Sequence, residues 1–263
     1  MERPNGKRKM RSLERSQFIL DYLRQHRHVD VSFLSEKLQV SEVTIRKDLE
    51  RLENENLVIR SHGGAMLNEN LFLEPSFLEK EDRLREEKSA IAKVAASLVK
   101  DGDVIALSTG TTVHHMTKWI RDRTNLTVVT NAINIAKELM GLEGMQLFLT
   151  GGSIRPKTFA LIGETAEKSL DGIYTDYVFF GINGFSIEEG LTTPSMEEAR
   201  VVRKLIENAK HTVVLADHSK FGVVTFYRIV PVEKVHTLIT DRKAPEEIVS
   251  KLRQKGIEVL IAE

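Results

Sequence analysis

Several common features are absent from this chain. It contains no cysteine, which excludes disulfides, thiolate metal ligands and a cysteine nucleophile. It has no net charge, because 38 Lys and Arg balance 38 Asp and Glu, and this argues against a protein coated in nucleic acid. No apolar run approaches the length of a membrane-spanning helix, and the polar, charged N-terminus does not resemble a signal peptide. We therefore expect a soluble cytoplasmic protein without membrane contact.

The chain does contain enough apolar sequence for a large core. Its 263 residues, 41% of them hydrophobic, suit two domains better than one. The charge is unevenly divided, since residues 1–66 hold 13 Lys and Arg against 10 Asp and Glu and the remainder holds 25 against 28. A basic run within residues 1–12 consists of Lys7, Arg8, Lys9 and Arg11. This segment is either an arm that contacts phosphates or a solvated tail.

The stretch that follows Val40 predicts an exposed, partly cationic helix. Ser41 is a suitable N-cap, and Ile45, Leu49 and Leu52 recur at helical spacing, so one face must be buried. At about 100° per residue, the side chains that point away from that face are Val43, Thr44, Lys47 and Arg51, with Arg46 on the flank. Cations donate to guanine or phosphate oxygens, Thr donates or accepts, and an outward Val meets a thymine methyl group. This pattern predicts a recognition helix for the major groove.

The neighbouring residues predict the remainder of a winged helix-turn-helix domain over residues 13–66. One helix stripe comprises Phe18, Ile19, Tyr22 and Leu23, a second short helix carries Phe33, Leu34 and Leu38 after Ser32, and Gln39 and Val40 form the tight connection. Residues 57–59 predict a strand, and residues 60–64 a glycine-tipped turn that forms the wing. The predicted DNA-binding residues are Ser41, Val43, Thr44, Arg46, Lys47, Arg51, Arg60 and His62. The alternative is a small helical domain whose cations are only solvated.

Residues 67–89 are dense in charges of both signs, contain Pro75, and predict a linker that runs into a solvent-facing helix. From residue 90 onward, apolar β-branched runs alternate with helical patterns. The predicted strands are 104–107, 126–130, 145–150, 177–181, 212–216, 235–240 and 258–262, and the helices between them include 112–121, 132–139, 195–209 and 245–255. This alternation predicts an α/β sandwich with a mainly parallel sheet over residues 90–263.

Polar or flexible residues follow most of these strands at their carboxyl ends, where ligands bind in such sheets. They are Ser108, Thr109, Gly110, Thr111 and Thr112 after the first strand, Asn131 after the second, Gly151 and Gly152 after the third, Asn183 after the fourth, and Asp217 with Lys220 after the fifth. Taken singly, each has an ordinary structural explanation, but together they predict a pocket for a small anionic ligand such as a sugar phosphate. His114 and His115 are adjacent on a helix and point in two directions, so we expect packing or surface roles for them, and no metal or cofactor.

The motifs in this order resemble the DeoR family of bacterial transcription regulators. The segment VSEVTIRKDLERL…HGGA resembles that family's DNA-binding signature, and STGTT, LTGG, FFGINGF and ADHSKFG resemble its sensor domain. The resemblance implies a repressor of sugar or polyol catabolism that a phosphorylated effector releases from operator DNA. We expect it to act as a homo-oligomer, a dimer or tetramer. It also implies a sensor fold similar to ribose-5-phosphate isomerase, in which residues 109–112 and Lys220 hold phosphate. The sugar end is then lined by Asn131, Gly151, Gly152, Asn183 and Glu198. Two positions depart from the family pattern: Ser108 replaces an acidic residue, and Asn56 replaces a turn glycine.

Two alternative functions remain at this stage. A sugar-phosphate isomerase needs a carboxylate base, but Asn183 is an amide, and Glu198 or Asp217 would equally serve by accepting hydrogen bonds from sugar hydroxyls. An architectural DNA-binding protein needs strong basicity or minor-groove wedges, and neither is visible. We therefore predict binding without turnover, with the segment 67–89 transmitting the effector signal.

Overall fold

The structure is a computed structural model that describes residues 12–54, 57–61, 63–67 and 75–263. The chain divides into two compact units, Met1–Leu73 and Glu74–Glu263. In the described part of the chain, none of the helices is long and apolar enough to cross a membrane.

The first unit contains three helices and a small sheet. Its elements are α1 (Ser12–His26), β1 (His28–Asp30), α2 (Val31–Leu38), α3 (Glu42–Asn54), β2 (Val58–Arg60) and β3 (Gly64–Leu67). Helix α2 ends where Gln39 adopts a left-handed conformation (φ 54°) and its N–H bonds back to the Glu36 carbonyl. Ile45 and Leu49 of α3 pack on Ile19 and Leu23 of α1, and all four are fully buried. The predicted helix order and tight connection are confirmed.

The wing contains more strand than the sequence predicted. Strands β1, β3 and β2 form an antiparallel sheet in that order, whereas only residues 57–59 were predicted as a strand. Gly64 lies within β3 rather than at the tip of the turn. A Cβ added there would lie 2.9 Å from the Val29 carbonyl carbon and closer still to its oxygen, so β1 and β3 approach closely enough to require glycine.

The second unit is built on a seven-stranded parallel sheet. Its strands are β4 (Val104–Leu107), β5 (Leu126–Thr130), β6 (Met145–Leu149), β9 (Thr175–Gly181), β12 (Ala209–Leu215), β14 (Thr237–Asp241) and β15 (Glu258–Ala262). The spatial order is β15-β14-β12-β9-β4-β5-β6, and every adjacent pair is parallel. All seven predicted strands are present, with ends shifted by at most three residues. The predicted fold class is confirmed.

Helices cover both faces of this sheet. They are α4 (Phe77–Glu81), α5 (Arg85–Ser97), α6 (Thr111–Met116), α7 (Ile133–Leu139), α8 (Glu164–Lys168), α9 (Met196–Glu207) and α10 (Glu246–Gln254). The adjacent residues Phe179 and Phe180 of β9 belong to two different core clusters, because successive side chains of a strand point to opposite faces. Helix α6 is shorter than the predicted 112–121, since residues 117–122 form turns.

Five short strands of the second unit were not predicted. Strands β7 (Ser153–Arg155) and β8 (Ala160–Ile162) form a hairpin, while β10 (Gly184–Ser186), β11 (Gly190–Thr193) and β13 (Tyr227–Val230) form a separate antiparallel sheet. Runs of three or four residues are too short to show an alternating pattern.

Two helices of the second unit, α4 and α5, begin before the predicted boundary at residue 90. Ser76 and Glu79 form a capping box at the start of α4, and the buried ring of Phe77 lies 5.5 Å from that of Phe159. The dense charges that suggested a linker lie on α4, in the turn that follows it and at the start of α5, which also carries Ile91 and other buried apolar residues.

Candidate functional site

Helix α3 presents an open surface. Ser41 accepts from the Thr44 N–H at 3.3 Å and shares a 2.9 Å hydrogen bond with its hydroxyl, which fixes the first turn. Val43 is 64% exposed. Arg46 and Lys47 are exposed, and Arg46 forms a surface ion pair with Glu42 at 3.3 Å. Three predicted DNA-reading side chains are therefore accessible.

Arg51 is oriented differently from the prediction. Its guanidinium donates to the Ser16 hydroxyl of α1 and lies 3.6 Å from Asp48 Oδ1. Asp48 is 5% exposed at its side chain and also accepts from Arg15 Nε at 2.7 Å. The helical wheel placed Arg51 with the outward residues, but its side chain bends toward α1 and holds α3 in place. Its contact with DNA stays a prediction.

Arg60 lies in β2 and is exposed, with its guanidinium 3.5 Å from Glu53 at the end of α3. The wing turn closes through the Ser61 N–H, which donates to the Gly64 carbonyl at 3.0 Å. His62 lies outside the described residues, as do Asn56 and the basic run between Lys7 and Arg11. Of the two side chains predicted to give the wing its charge, Arg60 is therefore exposed on the wing, and the position of His62 stays a prediction.

The second candidate site lies along the carboxyl edge of the parallel sheet. The strand order brings the ends of β12, β9, β4, β5 and β6 side by side, so the five predicted loops share one edge. The Ser108 N–H donates to the Phe179 carbonyl at 3.0 Å, and Thr130 Oγ1 donates to the Leu107 carbonyl at 2.6 Å. A Cβ added at Gly110 would lie 3.8 Å from Gly181 Cα, which shows how closely the Thr109–Gly110 turn approaches β9.

Several buried polar atoms at this edge have no hydrogen-bond partner among the described residues. They are Ser108 Oγ, Asn131 Oδ1, Thr150 Oγ1 and Asp217 Oδ2, which follow strands β4, β5, β6 and β12. An unsatisfied buried polar group costs about 1–3 kcal/mol. Four such atoms lie at the ends of strands in this sheet, where a polar ligand can supply the missing hydrogen bonds.

Asp217 and Lys220 supply opposite charges beside these atoms. Asp217 is buried and accepts from the Ser219 N–H at 3.0 Å and from the Ser219 hydroxyl. Lys220 Nζ lies 3.9 Å from Asp217 Oδ2. Burial lowers the pKa of Lys220, and the Asp217 carboxylate opposes that effect. A partly desolvated lysine of this kind is a good partner for an anionic ligand, because an anion offsets the cost of its burial.

The sequence analysis missed Lys88, a buried lysine whose charge interacts with those of Asp217 and Lys220. Lys88 is only 4% exposed, and its ammonium donates to the Lys80 carbonyl. Burial lowers its pKa to about 8, against the opposing attraction of Asp217, and the Lys220 charge lowers it further. A signal was available in the sequence, because Lys88 precedes Ile91 and Ala92 by three and four residues and therefore shares their buried stripe. The sequence analysis did not recognise this pattern because the residues around Lys88 are also charged.

The comparisons with known proteins cover both units. Residues 15–70 match the family model described as the DeoR-like helix-turn-helix domain, and residues 83–242 match that of the DeoR C terminal sensor domain. The chain belongs to the DeoR family. It is therefore a DNA-binding transcriptional regulator and not an enzyme.

Similar DeoR-type proteins align over nearly their whole length. The HTH-type transcriptional repressor GlcR of Bacillus subtilis (strain 168) is 36% identical over 250 residues, which cover 95% of this chain and 96% of that protein. The glycerol-3-phosphate regulon repressor of Escherichia coli (strain K12) is 30% identical over 250 residues, which cover 95% and 99%. Ribose 5-phosphate isomerase A from Methanocaldococcus jannaschii overlaps 52% of this chain and 54% of that chain, with a TM-score of 0.39 and 23% identity. That overlap is too low to establish a shared fold.

In this DeoR-family chain, the Glu198 carboxylate accepts hydrogen bonds from other side chains of the protein. It is 5% exposed in the first turn of α9 and accepts from Arg155 at 3.2 Å and from the Thr158 hydroxyl. Both partners come from the β7–β8 hairpin region, which the sequence analysis did not predict. The same region contacts Asn131, whose Nδ2 donates to the Leu161 carbonyl at 3.3 Å. The hairpin thus joins two predicted ligand residues, with Arg155 as a neighbouring cation that sequence reasoning missed.

The remaining predicted pocket residues divide between accessible and packed positions. Gly151 is exposed and Asn183 is half-buried, with its N–H bonded to the Thr192 carbonyl at 3.0 Å. Gly152 has φ 117°, and a Cβ there would lie 3.0 Å from Ala166 Cβ and closer to the Ile162 carbonyl oxygen, so close packing alone requires this glycine. Thr111 and Thr112 are buried in the first turn of α6.

The two histidines of α6 have the packing roles expected of them. His114 lies edge-on to Phe77 with ring centroids 5.2 Å apart, and burial lowers its pKa. Burial also lowers the pKa of His115, to about 4, so this side chain is neutral at physiological pH.

Proposed function

We propose that this DeoR-family regulator represses a sugar or polyol catabolic operon and leaves its operator when a phosphorylated effector binds the sheet edge. The observation that supports this effector is at the carboxyl edge of the sheet, where the half-buried Lys220 lies 3.9 Å from the unsatisfied Asp217 Oδ2 and other unsatisfied buried polar atoms follow the neighbouring strands. Lysines match a phosphate group, and neutral hydroxyl and amide groups match sugar hydroxyls. Relatives named for a glycerol-3-phosphate regulon support an effector of this class.

We assign operator reading to the exposed side of α3 and to the wing. Val43, Arg46 and Lys47 enter the major groove, while Ser41 and Thr44 lie at the leading end of the helix where phosphate contacts are common. Arg60 and His62 contact the DNA backbone from the wing. Arg51 contributes mainly by holding α3 on α1.

We assign the two ends of the effector to different loops. The phosphate binds to the ammonium group of Lys220 and to the amides and hydroxyls of the loop after β4, which comprises Thr109, Gly110, Thr111 and Thr112. At the sugar end, the hydroxyls of the effector form hydrogen bonds with the amides of Asn131 and Asn183 and with the exposed backbone at Gly151 and Gly152. The carboxylates of Glu198 and Asp217 accept hydrogen bonds from these hydroxyls. Ser108 adds a neutral hydroxyl to this end of the pocket.

Release from DNA requires the effector to favour one arrangement of the protein over another, with a coupling free energy of about 1–3 kcal/mol. We propose that two or more copies associate as a dimer or tetramer in the cytoplasm, so that paired recognition helices bind repeated half-sites. Effector binding then shifts the population toward an arrangement that no longer matches the half-site spacing.

A thermal-shift screen tests the effector class directly. Purified protein is heated with a panel of sugar and polyol phosphates, and again with the same sugars without phosphate. A ligand that binds only the folded state raises the melting temperature in proportion to its occupancy. We expect a rise for one or a few phosphates and none for their unphosphorylated forms. Equal rises with and without phosphate, or no rise for any compound, would contradict the proposal.

The same compound then enters an operator-release assay. DNA fragments from upstream of neighbouring catabolic genes supply candidate operators, and binding is measured at fixed salt because phosphate contacts make affinity salt-dependent. The active phosphate should weaken binding to the operator and leave residual non-specific binding unchanged.

A further inference from the structure

We propose that strand β6 is the surface through which two copies of this chain associate, with β6 of one copy paired antiparallel to β6 of the second across a two-fold axis. The two parallel sheets then join into one. This inference rests on the proposed function, because it names the surface that forms the proposed homo-oligomer.

Strand β6 has one unpaired side, which we call the lateral edge. In the order of the described strands, β6 is the last one and pairs with β5. The Thr150 N–H donates to the Thr130 carbonyl at 3.0 Å, so residue 150 points its backbone N–H toward β5. These directions alternate along a strand. The N–H and C=O groups that point toward the lateral edge are therefore those of Met145, Leu147 and Leu149.

The residues of β6 do not prevent pairing at the lateral edge. Soluble proteins usually protect an edge strand with charged side chains, proline or a bulge. Strand β6 (MQLFL) contains neither a charged residue nor proline, and its register with β5 is regular. Two of its apolar side chains are also exposed, Phe148 at 40% and Leu149 at 41%. An uncharged, apolar edge of this kind favours the addition of another strand.

The opposite edge of the same sheet differs in charge. Strand β15 begins at Glu258 and is followed by Glu263, which places a carboxylate at each of its ends. Charged side chains are one of the means by which edge strands avoid pairing. The contrast between the two edges favours β6 as the one that pairs.

A second copy of β6 is the occupant because the strand is complementary to itself. Antiparallel pairing about a two-fold axis at Leu147 places Met145 opposite Leu149 of the second copy, so apolar side chains meet and no like charges do. The backbone groups that point outward from the two strands then form about six hydrogen bonds. A symmetric contact of this kind closes at two copies and uses both lateral edges.

Apolar surface beside β6 enlarges this contact. A stable interface buries about 800 Å² of each partner, so surface next to the two paired strands must contribute. Helix α7 packs against β6, and Met140 at the end of this helix is 70% exposed. Joining the two sheets extends the apolar contact from β6 onto α7 of both copies.

Charge introduced at exposed positions of β6 tests the pairing in the full-length protein. In the proposed register, Phe148 lies opposite Gln146 of the second copy and diagonally, at about 7–8 Å, from its Phe148. Phe148→Lys therefore brings two ammonium groups near each other across the axis. The double variant Gln146→Glu, Phe148→Lys places a carboxylate opposite each ammonium group. The control is Ile261→Lys on β15, because Ile261 is 37% exposed, close to the 40% of Phe148.

Sedimentation equilibrium over a range of concentrations measures the mass of each assembly. We expect the unaltered protein and Ile261→Lys to form the same dimer or tetramer. Phe148→Lys should halve that mass or weaken association at least about tenfold, as for loss of an aromatic contact from an interface, and the double variant should recover part of that loss. A monomeric unaltered protein, unchanged association of Phe148→Lys, or a loss that the double variant does not recover would overturn the inference.

Gln146→Lys covers the case in which Phe148→Lys does not fold, because Gln146 is exposed and polar. The new ammonium group lies diagonally from its equivalent across the axis, so association should weaken at least about twofold. Unchanged association would overturn the β6 contact, and an effector response of the unaltered protein would then still support the proposed function. Weakened association without any effector response would support the β6 contact and contradict the proposed effector.

Discussion

The two candidate sites of this protein are prepared for their ligands in opposite ways. The recognition surface on α3 is exposed, and its cation Arg46 forms a surface ion pair with Glu42. At the sheet edge, Asp217 and Lys88 are buried and the pKa of Lys88 is strongly lowered. Exposed ion pairs contribute about 0–1 kcal/mol, so Arg46 can exchange Glu42 for a DNA group at little cost.

This difference follows from the size of the two partners. DNA is too large to be enclosed, so the side chains that read it must remain in solvent and reorient on contact. A small phosphorylated ligand can be enclosed, and burial strengthens each electrostatic contact because the local dielectric constant is low. Substitutions on α3 should therefore change binding with little effect on folding, whereas those at the sheet edge should change both.

The largest expected effect comes from the packing of the wing. Gly64→Ala places a methyl group against the Val29 carbonyl and should destabilise the first unit by about 3 kcal/mol or more, in the range of severe backbone clashes. Operator binding should be lost, while the phosphate-induced thermal shift of the second unit is retained. Gly63→Ala is the control, because a Cβ there meets nothing within 4 Å. Equal operator affinity for Gly64→Ala and the unaltered protein would show that β1 and β3 can separate without loss of the reading surface.

Lys88 predicts an unusual pH dependence at the other site. Its pKa is about 8 in the folded chain against 10.5 for an ordinary lysine, so between these values the unfolded chain binds more protons than the folded chain. The free energy of unfolding should therefore rise with pH across this window, by at most about 3 kcal/mol in total, and the contribution is lost as the pH falls to 8. Thermal unfolding of the unaltered protein and Lys88→Met at several pH values measures it as the difference between the two curves.

Lys93→Met provides the comparison for that experiment, because it removes an exposed lysine from the same helix. Its stability should follow the unaltered protein from pH 7.5 to 10. A constant difference between Lys88→Met and the unaltered protein over this range would mean that the Lys88 ammonium is solvated rather than buried.

Lys220→Ala should have the opposite effect to Gly64→Ala: it should impair effector binding and spare operator binding. Loss of its ammonium should weaken binding of the phosphorylated effector by about 1.5–3 kcal/mol and leave operator affinity unchanged. The result is a repressor that stays on DNA at effector concentrations that release the unaltered protein, which an operator-release titration measures. If Lys220→Ala remained folded but no longer bound DNA, the division of roles between the two sites would be wrong.

The sequence was most informative where a single residue pattern determines structure. The seven strands of the parallel sheet were predicted because buried β-branched runs are distinct from their surroundings, and their order along the chain located the polar residues at their ends. The hairpin that holds Arg155 against Glu198 was not predicted, because its strands have three residues each. Contacts between segments distant in the sequence were also not predicted. A helical wheel gives the direction of Arg51 on its own helix but does not show that Ser16 lies within its reach. Lys88 was missed because composition was averaged over a charged segment rather than read at helical spacing.

The smallest effect we predict concerns direct reading by α3. Arg46→Ala should weaken operator binding by about 1–3 kcal/mol if the guanidinium contacts a base, and it should relax specificity at one position of each half-site. Lys47→Ala should instead weaken binding to all sequences alike and reduce its salt dependence, if Lys47 contacts phosphate. Because both side chains are exposed, thermal stability should change by less than about 0.5 kcal/mol in either variant. Competition binding with operators altered one base pair at a time distinguishes the two roles, and a uniform loss in Arg46→Ala would reassign Arg46 to the DNA backbone.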